Sequence, residues 1–240
     1  MSPFRNALSS IRSLLITTPL IVLYTIVMGS VSVASSLVDA TGKLQHGCAR
    51  IWARMILRTS GVHVTVRGLD YVPKGSCVFC VNHQSHMDIP IVLASLPVQF
   101  RFLSKKQLFD IPFLGWHLRR SGQVSIDREN PRAAVKSMRA AAERIREGAP
   151  VLIFPEGGTS LDGAIHPFKG GGFVLATQSG VDIVPITVRG SRQILVPKTR
   201  RVHNGDVEVI VGAPISSRGV SSTELSNRTF EEIVKTFNNG

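Results

Sequence analysis

Disulfide scaffolding is absent from this chain of 240 residues, which has three cysteines, Cys48, Cys77 and Cys80. An odd, sparse set suits a reducing compartment and excludes a disulfide-built secreted fold. Cys77 and Cys80 are spaced like half of a zinc ribbon, yet they lie in an apolar run without a second pair, so buried thiols are expected there and no metal site. Aromatics make up 6% and are nowhere interleaved with cations as a single-strand nucleic-acid groove requires, so no nucleic-acid partner is expected. Acids are scarce, with 16 against 28 basic residues and a formal net charge of +12. That excess leaves an anionic membrane surface or phosphorylated small molecules as partners. No G-x-S-x-G elbow occurs, which argues against a serine nucleophile at a strand-to-helix turn. Residues 60–240 contain no repeat, no low-complexity run and no linker.

Hydrophobic length is present instead. Between Arg12 and Asp39 run 26 uncharged residues, and about 20 apolar residues suffice to cross a bilayer as a helix. Arg5, Arg12 and the Ser32-Val33-Ala34 stretch also resemble a secretory signal peptide; the reducing-type cysteine usage favours a retained anchor. Pro19, Gly29 and basic residues on both flanks leave open whether the segment spans or bends back. In "CARIWARMILR", residues 48–58, Arg50, Arg54 and Arg58 form one stripe, and Ile51, Trp52, Met55 and Ile56 form the neighbouring apolar face. Such a basic amphipathic helix suits the headgroup layer of an anionic membrane, or else packs on its own domain.

From residue 62 strands alternate with helices. Strands are expected at 63–68, 77–81, 99–103, 123–127, 151–155, 182–188 and 206–212. Helices are expected at 131–148, with Asn130 as N-cap and Gly148 as stop, and at 223–237, opened by Ser222 or Thr223. The expected class is α/β, a single domain over 61–240 with a largely parallel central sheet flanked by helices. N-terminal membrane-anchoring helices occupy 1–60.

"CVNHQSHMDIP", residues 80–90, breaks a buried strand into a polar cluster. In open parallel sheets ligands gather at strand carboxyl ends. There His83 can act as a general base if Asp88 holds its other ring nitrogen. Asn82 and Ser85 are candidates for binding substrate or hydrogen-bonding the turn itself. A metal site from His83, His86 and Asp88 is a weaker alternative. "FPEGGTS", 154–160, follows another buried strand: Gly157 and Gly158 free the backbone to cradle an anion, and Glu156 can accept from a hydroxyl. "HPFKGGG", 166–172, brings Lys169 close to that turn. In 104–129, Lys105, Lys106, Arg119, Arg120 and Arg128 surround Phe109, Ile111, Phe113, Leu114 and Trp116, which suits a substrate with a phosphate head and a fatty tail.

The ordered set "NHQSHMD", "KKQLFDIPFLG…SIDR", "FPEGGTS" and "IVPITV" resembles the PlsC-type glycerolipid acyltransferases, with 1-acylglycerol-3-phosphate acyltransferases most similar. The resemblance covers residues 60–215. It implies that His83 deprotonates an acceptor hydroxyl that attacks an acyl thioester directly, while Asp88 fixes the histidine tautomer. It implies further that Glu156 and Gly157 hold the acceptor, that Lys105 and Arg128 meet its phosphate, and that Pro185 shapes the acyl or acceptor site. The acceptor would be lysophosphatidic acid, the donor acyl-CoA or acyl carrier protein, and no resident cofactor is needed. The enzyme would be membrane-associated, with its catalytic domain on the cytoplasmic side of a bacterial inner membrane. One departure stands out: where that family usually reads Phe-Pro-Glu-Gly-Thr-Arg-Ser, this chain has Gly158 and Thr159, so a bidentate guanidinium contact to phosphate is missing. Thr159, the glycine backbone, and Lys169 or Arg189 are the candidate substitutes. A different acceptor, such as glycerol 3-phosphate or another lyso-lipid, is the alternative. Acyl hydrolysis and a non-catalytic membrane-binding module are the readings from other classes.

Overall fold

The computed structural model describes residues 11–127, 131–199 and 201–239. Its first helix, α1 (Ser13–Ser35), has a mean hydropathy of 2.1, and only 6% of its apolar window is buried. The buried positions on it are small and polar, among them Ser13, Thr17, Gly29 and Ser32. Small residues let a helix approach its neighbours closely, which leaves the large apolar side chains facing outwards. The second helix, α2 (Lys43–Ser60), runs between Gly42 and Gly61, both left-handed, and buries Ala53, Ile56 and Leu57 against the domain. Arg54 and Arg58 stay exposed while Trp52 and Met55 are half-buried, so the amphipathic pattern serves packing as well as surface. Hydrogen bonds from several neighbouring segments tie α1 down. Val202 N donates to Ser13 Oγ (2.7 Å), Trp52 Nε1 donates to Thr25 Oγ1 (3.1 Å), and the side chains of Tyr24 and Thr59 (3.0 Å) and of Ser32 and His117 (2.6 Å) pair.

A seven-stranded sheet follows. Its strands are β1 (Val62–Arg67), β2 (Val78–Val81), β3 (Arg101–Lys105), β4 (Val124–Ile126), β5 (Val151–Ile153), β6 (Ile183–Arg189) and β7 (Gly205–Val211). They lie in the order β1-β7-β6-β2-β5-β3-β4. Among these strands β6 and β7 pair antiparallel and the other neighbours pair parallel. The connecting helices are α3 (Asp88–Ser95), α4 (Leu114–Arg120), α5 (Pro131–Arg146), α6 (Gly171–Ser179), α7 (Ser191–Ile194) and α8 (Ser222–Asn238). Both faces of β2 are buried, as continuous apolar strands of parallel sheets require. Phe79 and Val81 enter one core cluster while Val78 and Cys80 enter the other, the period-two alternation of a strand. The Cys80 thiol is pushed well up by burial and the Cys77 thiol to about 12, so both are inert core atoms.

The expected strands and helices recur with end shifts of one or two residues, except that the 99–103 strand sits two residues later. The start of α8 differs in its cap: Ser221, not Ser222 or Thr223, accepts from Glu224 N at 3.1 Å. Ser221 is the last residue with extended backbone, and only there can the hydroxyl face the free N–H groups of the first turn. The expected Asn130 cap lies outside the described residues.

Candidate active site

β2 stops at Val81 and α3 begins at Asp88, so residues 82–87 form a turn at the carboxyl end of a central strand. Asp88 is wholly buried, and its Oδ2 gathers the whole turn. It accepts from Gln84 N at 2.8 Å and Ser85 N at 2.9 Å, and lies 2.9 Å from His83 Nδ1. An acceptor-only carboxylate oxygen at that distance assigns the ring proton to Nδ1, which leaves Nε2 as the basic nitrogen.

The turn after β5 grips the same histidine from two further directions. Phe154 stacks on its ring, centroids 4.1 Å apart at an interplanar angle of 19°. Glu156 Oε1 accepts the His83 backbone N–H at 2.6 Å, and Glu156 Oε2 accepts the His166 N–H at 3.0 Å. Ser160 N closes the loop by donating to the His83 carbonyl at 2.8 Å. Burial raises the Glu156 pKa above the usual carboxylate range against the opposing pull of those two backbone donors. Arg192 donates to the carbonyls of Ser160 and Leu161 and so pins the far side of the loop.

A cavity of about 460 Å³ opens beside His83. Lys105, Gly157, Gly158 and Thr159 line it together with His83. Phe102, Leu103, Leu108, Leu114 and Leu118 supply apolar walls, and α1 contributes Thr25, Met28 and Gly29. His46 and His117 also line it, and burial pushes both down to about 4, so they are neutral at pH 7. The space is mostly greasy, with polar groups gathered around the histidine.

The structure brings together His83, Asp88, Lys105, Gly157, Gly158 and Thr159. Lys169 joins them: a Cβ on Gly157, whose φ is +81°, would come within 2.6 Å of Lys169 Nζ. Other expected positions are built differently. Asn82 is buried and exchanges two hydrogen bonds with the Val188 backbone (3.0 and 2.7 Å), knitting β2 to β6. Ser85 Oγ donates to the Leu195 carbonyl at 2.7 Å and accepts from Met87 N at 3.2 Å. Both side chains therefore hold the scaffold, because a buried polar atom must find its partner nearby. Glu156 likewise directs both its oxygens at backbone N–H groups. Pro185 sits within β6 against Gly212 and does not line the cavity. Arg189 is engaged by Glu208 and the Thr236 carbonyl and does not line the cavity. Arg128 lies outside the described residues. Among the described residues no three His, Cys, Asp or Glu side chains converge to hold a metal ion.

Sequence reasoning missed Phe154 and the cavity wall supplied by α1. The signal for Phe154 was its place at the end of a buried strand adjoining β2. Nothing local marked Thr25, Met28 or Gly29.

A histidine paired with a buried aspartate at a strand end, beside a largely apolar cavity that Lys105 also lines, defines the site of this α/β protein. The chain belongs to the acyltransferase family, whose sequence pattern, described as Acyltransferase, matches residues 63–189. It is 38% identical over 196 residues to the chloroplastic 1-acyl-sn-glycerol-3-phosphate acyltransferase BAT2 of Brassica napus, covering 80% of this chain and 56% of that protein. It is 30% identical over 170 residues to the 1-acyl-sn-glycerol-3-phosphate acyltransferase of Pseudomonas aeruginosa, covering 70% and 65%. The chain thus spans between half and two thirds of the length of these relatives. In fold it is similar to the crystal structure of the 1-acyl-sn-glycerophosphate acyltransferase PlsC from Thermotoga maritima, with a TM-score of 0.81 and 24% identity over 98% of this chain and 96% of that one.

Proposed function

We propose that this chain is a membrane-associated O-acyltransferase that moves a fatty acyl group from a thioester to the 2-hydroxyl of lysophosphatidic acid, making phosphatidic acid. The pairing of His83 Nδ1 with the buried Asp88 beside the apolar cavity carries this reading. In the proposed step His83 Nε2 takes the hydroxyl proton as the oxygen attacks the thioester carbonyl. The new C–O bond forms, the C–S bond breaks, and the imidazolium returns its proton to the departing thiolate. Asp88 stabilises that imidazolium and keeps the tautomer fixed. The acyl chain fits the apolar cavity, and the donor is acyl-CoA or acyl carrier protein. Lys105, Lys169, Thr159 and the backbone of 157–158 are assigned to the acceptor phosphate.

The membrane reading rests on α1, whose outward face is apolar. A helix held by contacts at Ser13, Tyr24, Thr25 and Ser32 cannot cross a bilayer unless the strands and charges behind it follow. We therefore lay α1 in one leaflet, with the domain on the cytoplasmic face of a bacterial inner membrane. The free thiols Cys48, Cys77 and Cys80 suit that reducing side.

The glycine and threonine at 158 and 159 favour a second reading, the same chemistry on an acceptor without a terminal phosphate. The test is turnover of wild type and His83→Ala with lysophosphatidic acid and either donor, following thiol release and phosphatidic acid. Acceptor-dependent release lost in the variant supports the proposal. Acyl release without acceptor would make the protein a hydrolase. Silence with both donors and folded protein would shift the search to other acceptors.

A further inference from the structure

The cavity uses only one side of α4. Leu114 and Leu118, four residues apart, line it, while Trp116 and Arg120, also four apart, face the other way. Those two residues border a separate groove of about 270 Å³, whose opposite wall is Ser30, Val33, Ala34 and Leu37 at the end of α1. Large apolar surface crowds around it: Leu37 is 80% exposed, Val38 82% and Trp116 50%. A monomeric soluble surface rarely gathers such side chains without a partner. The geometry is enforced locally. Phe113, immediately before α4, has φ +61° and ψ −52°, a region that a bulky residue seldom enters. In that conformation its backbone lies against Gly29, and its ring meets Trp116 edge-on with centroids 5.1 Å apart. Arg119 pairs with Asp110 at 3.5 Å, whereas Arg120 forms no ion pair among the described residues.

We propose that the outer face of α4, with Trp116 and Arg120, is a docking surface for an anionic phospholipid leaflet. A lipid chain would lie in the groove against α1, and a headgroup phosphate would meet Arg120. The surface continues the outward apolar face of α1, including Val27 and Val31. Tryptophan suits the boundary between acyl chains and headgroups, and arginine reaches from apolar ground to phosphate. This inference rests on the proposed one-leaflet placement of α1. It adds a second contact that fixes the protein's rotation about that helix.

The chain has two tryptophans, so Trp52→Phe leaves Trp116 as the reporter in full-length protein bound to vesicles. Its fluorescence is expected to be quenched by brominated lipids, more by bromine near the headgroup end of the chain than at its tip. If that variant does not fold, the difference between wild type and Trp116→Phe gives the same signal. Arg120→Glu is expected to weaken partitioning onto phosphatidylglycerol vesicles about fivefold or more while sparing phosphatidylcholine vesicles. Acyl transfer in detergent should persist in that variant, which separates this surface from the catalytic proposal. Unquenched Trp116 in protein that still pellets with vesicles would overturn the inference and leave the α1 anchor standing. Loss of acyl carrier protein use with unchanged partitioning would also overturn it, and would reassign the face to an acidic protein partner.

Discussion

Glu156 Oε1 lies 2.6 Å from the backbone nitrogen of His83, and its second oxygen reaches His166 N at 3.0 Å. The carboxylate therefore joins two loops that the chain separates by many residues. Through these two bonds residues 154–160 help to position the His83 turn.

His83→Ala should lower turnover by about two to four orders of magnitude, the usual worth of a positioned base. Asp88→Asn keeps an acceptor for the Gln84 and Ser85 N–H groups but loses the charge that stabilises the imidazolium. It should lower kcat with a smaller effect on KM. Steady-state kinetics with varied acceptor checks both, and an Asp88→Asn enzyme of wild-type kcat would remove Asp88 from the mechanism.

Glu156→Gln leaves one backbone N–H without its acceptor, because the amide nitrogen can only donate. We expect destabilisation of about 1–3 kcal/mol and a reduced kcat with the acceptor KM unchanged. Should the acceptor KM rise at constant kcat, Glu156 would be a substrate ligand after all. Phe154 is argued to act through His83, so Phe154→Leu should lower kcat and shift the pH profile of kcat/KM, and Phe154→Tyr should restore both.

Lys169→Ala and Lys105→Ala should each raise the KM for lysophosphatidic acid, by roughly tenfold for a charge-assisted contact. An acceptor lacking the terminal phosphate should be unaffected. Thr159→Arg restores the guanidinium usual in the family and should lower that KM. Equal effects on both acceptors would remove the lysines from phosphate recognition.

Folding stability should fall as pH drops from 6.5 towards 4. His46 and His117 have folded pKa values of about 4 against the ordinary 6.5. The unfolded chain thus takes up their protons first, so their contribution is complete above 6.5 and lost progressively down to about 4. The loss is on the order of 3 kcal/mol for each. Urea unfolding at several pH values reads it, and His117→Phe should flatten the slope. A slope unchanged in that variant would mean that the ring is solvated.

Much of this molecule is legible in its sequence. Strand alternation, the apolar N-terminal run and the cluster from Asn82 to Asp88 are local patterns, and local periodicity sets which residues can share a face. The histidine and aspartate could be paired on paper because a tight turn at a strand end leaves few other arrangements. The polarity of Asn82, Ser85, Glu156 and Arg189 is visible in the sequence, while their partners are not. Only tertiary structure supplied Val188, Leu195, the His166 backbone and Glu208 as their partners. The α1 wall of the cavity, the Phe154 stack on His83 and the outward turn of Trp116 were likewise decided by packing between segments distant in the chain. Contacts of that kind depend on shape and on the satisfaction of buried polar atoms, and neither is written in any short stretch of residues.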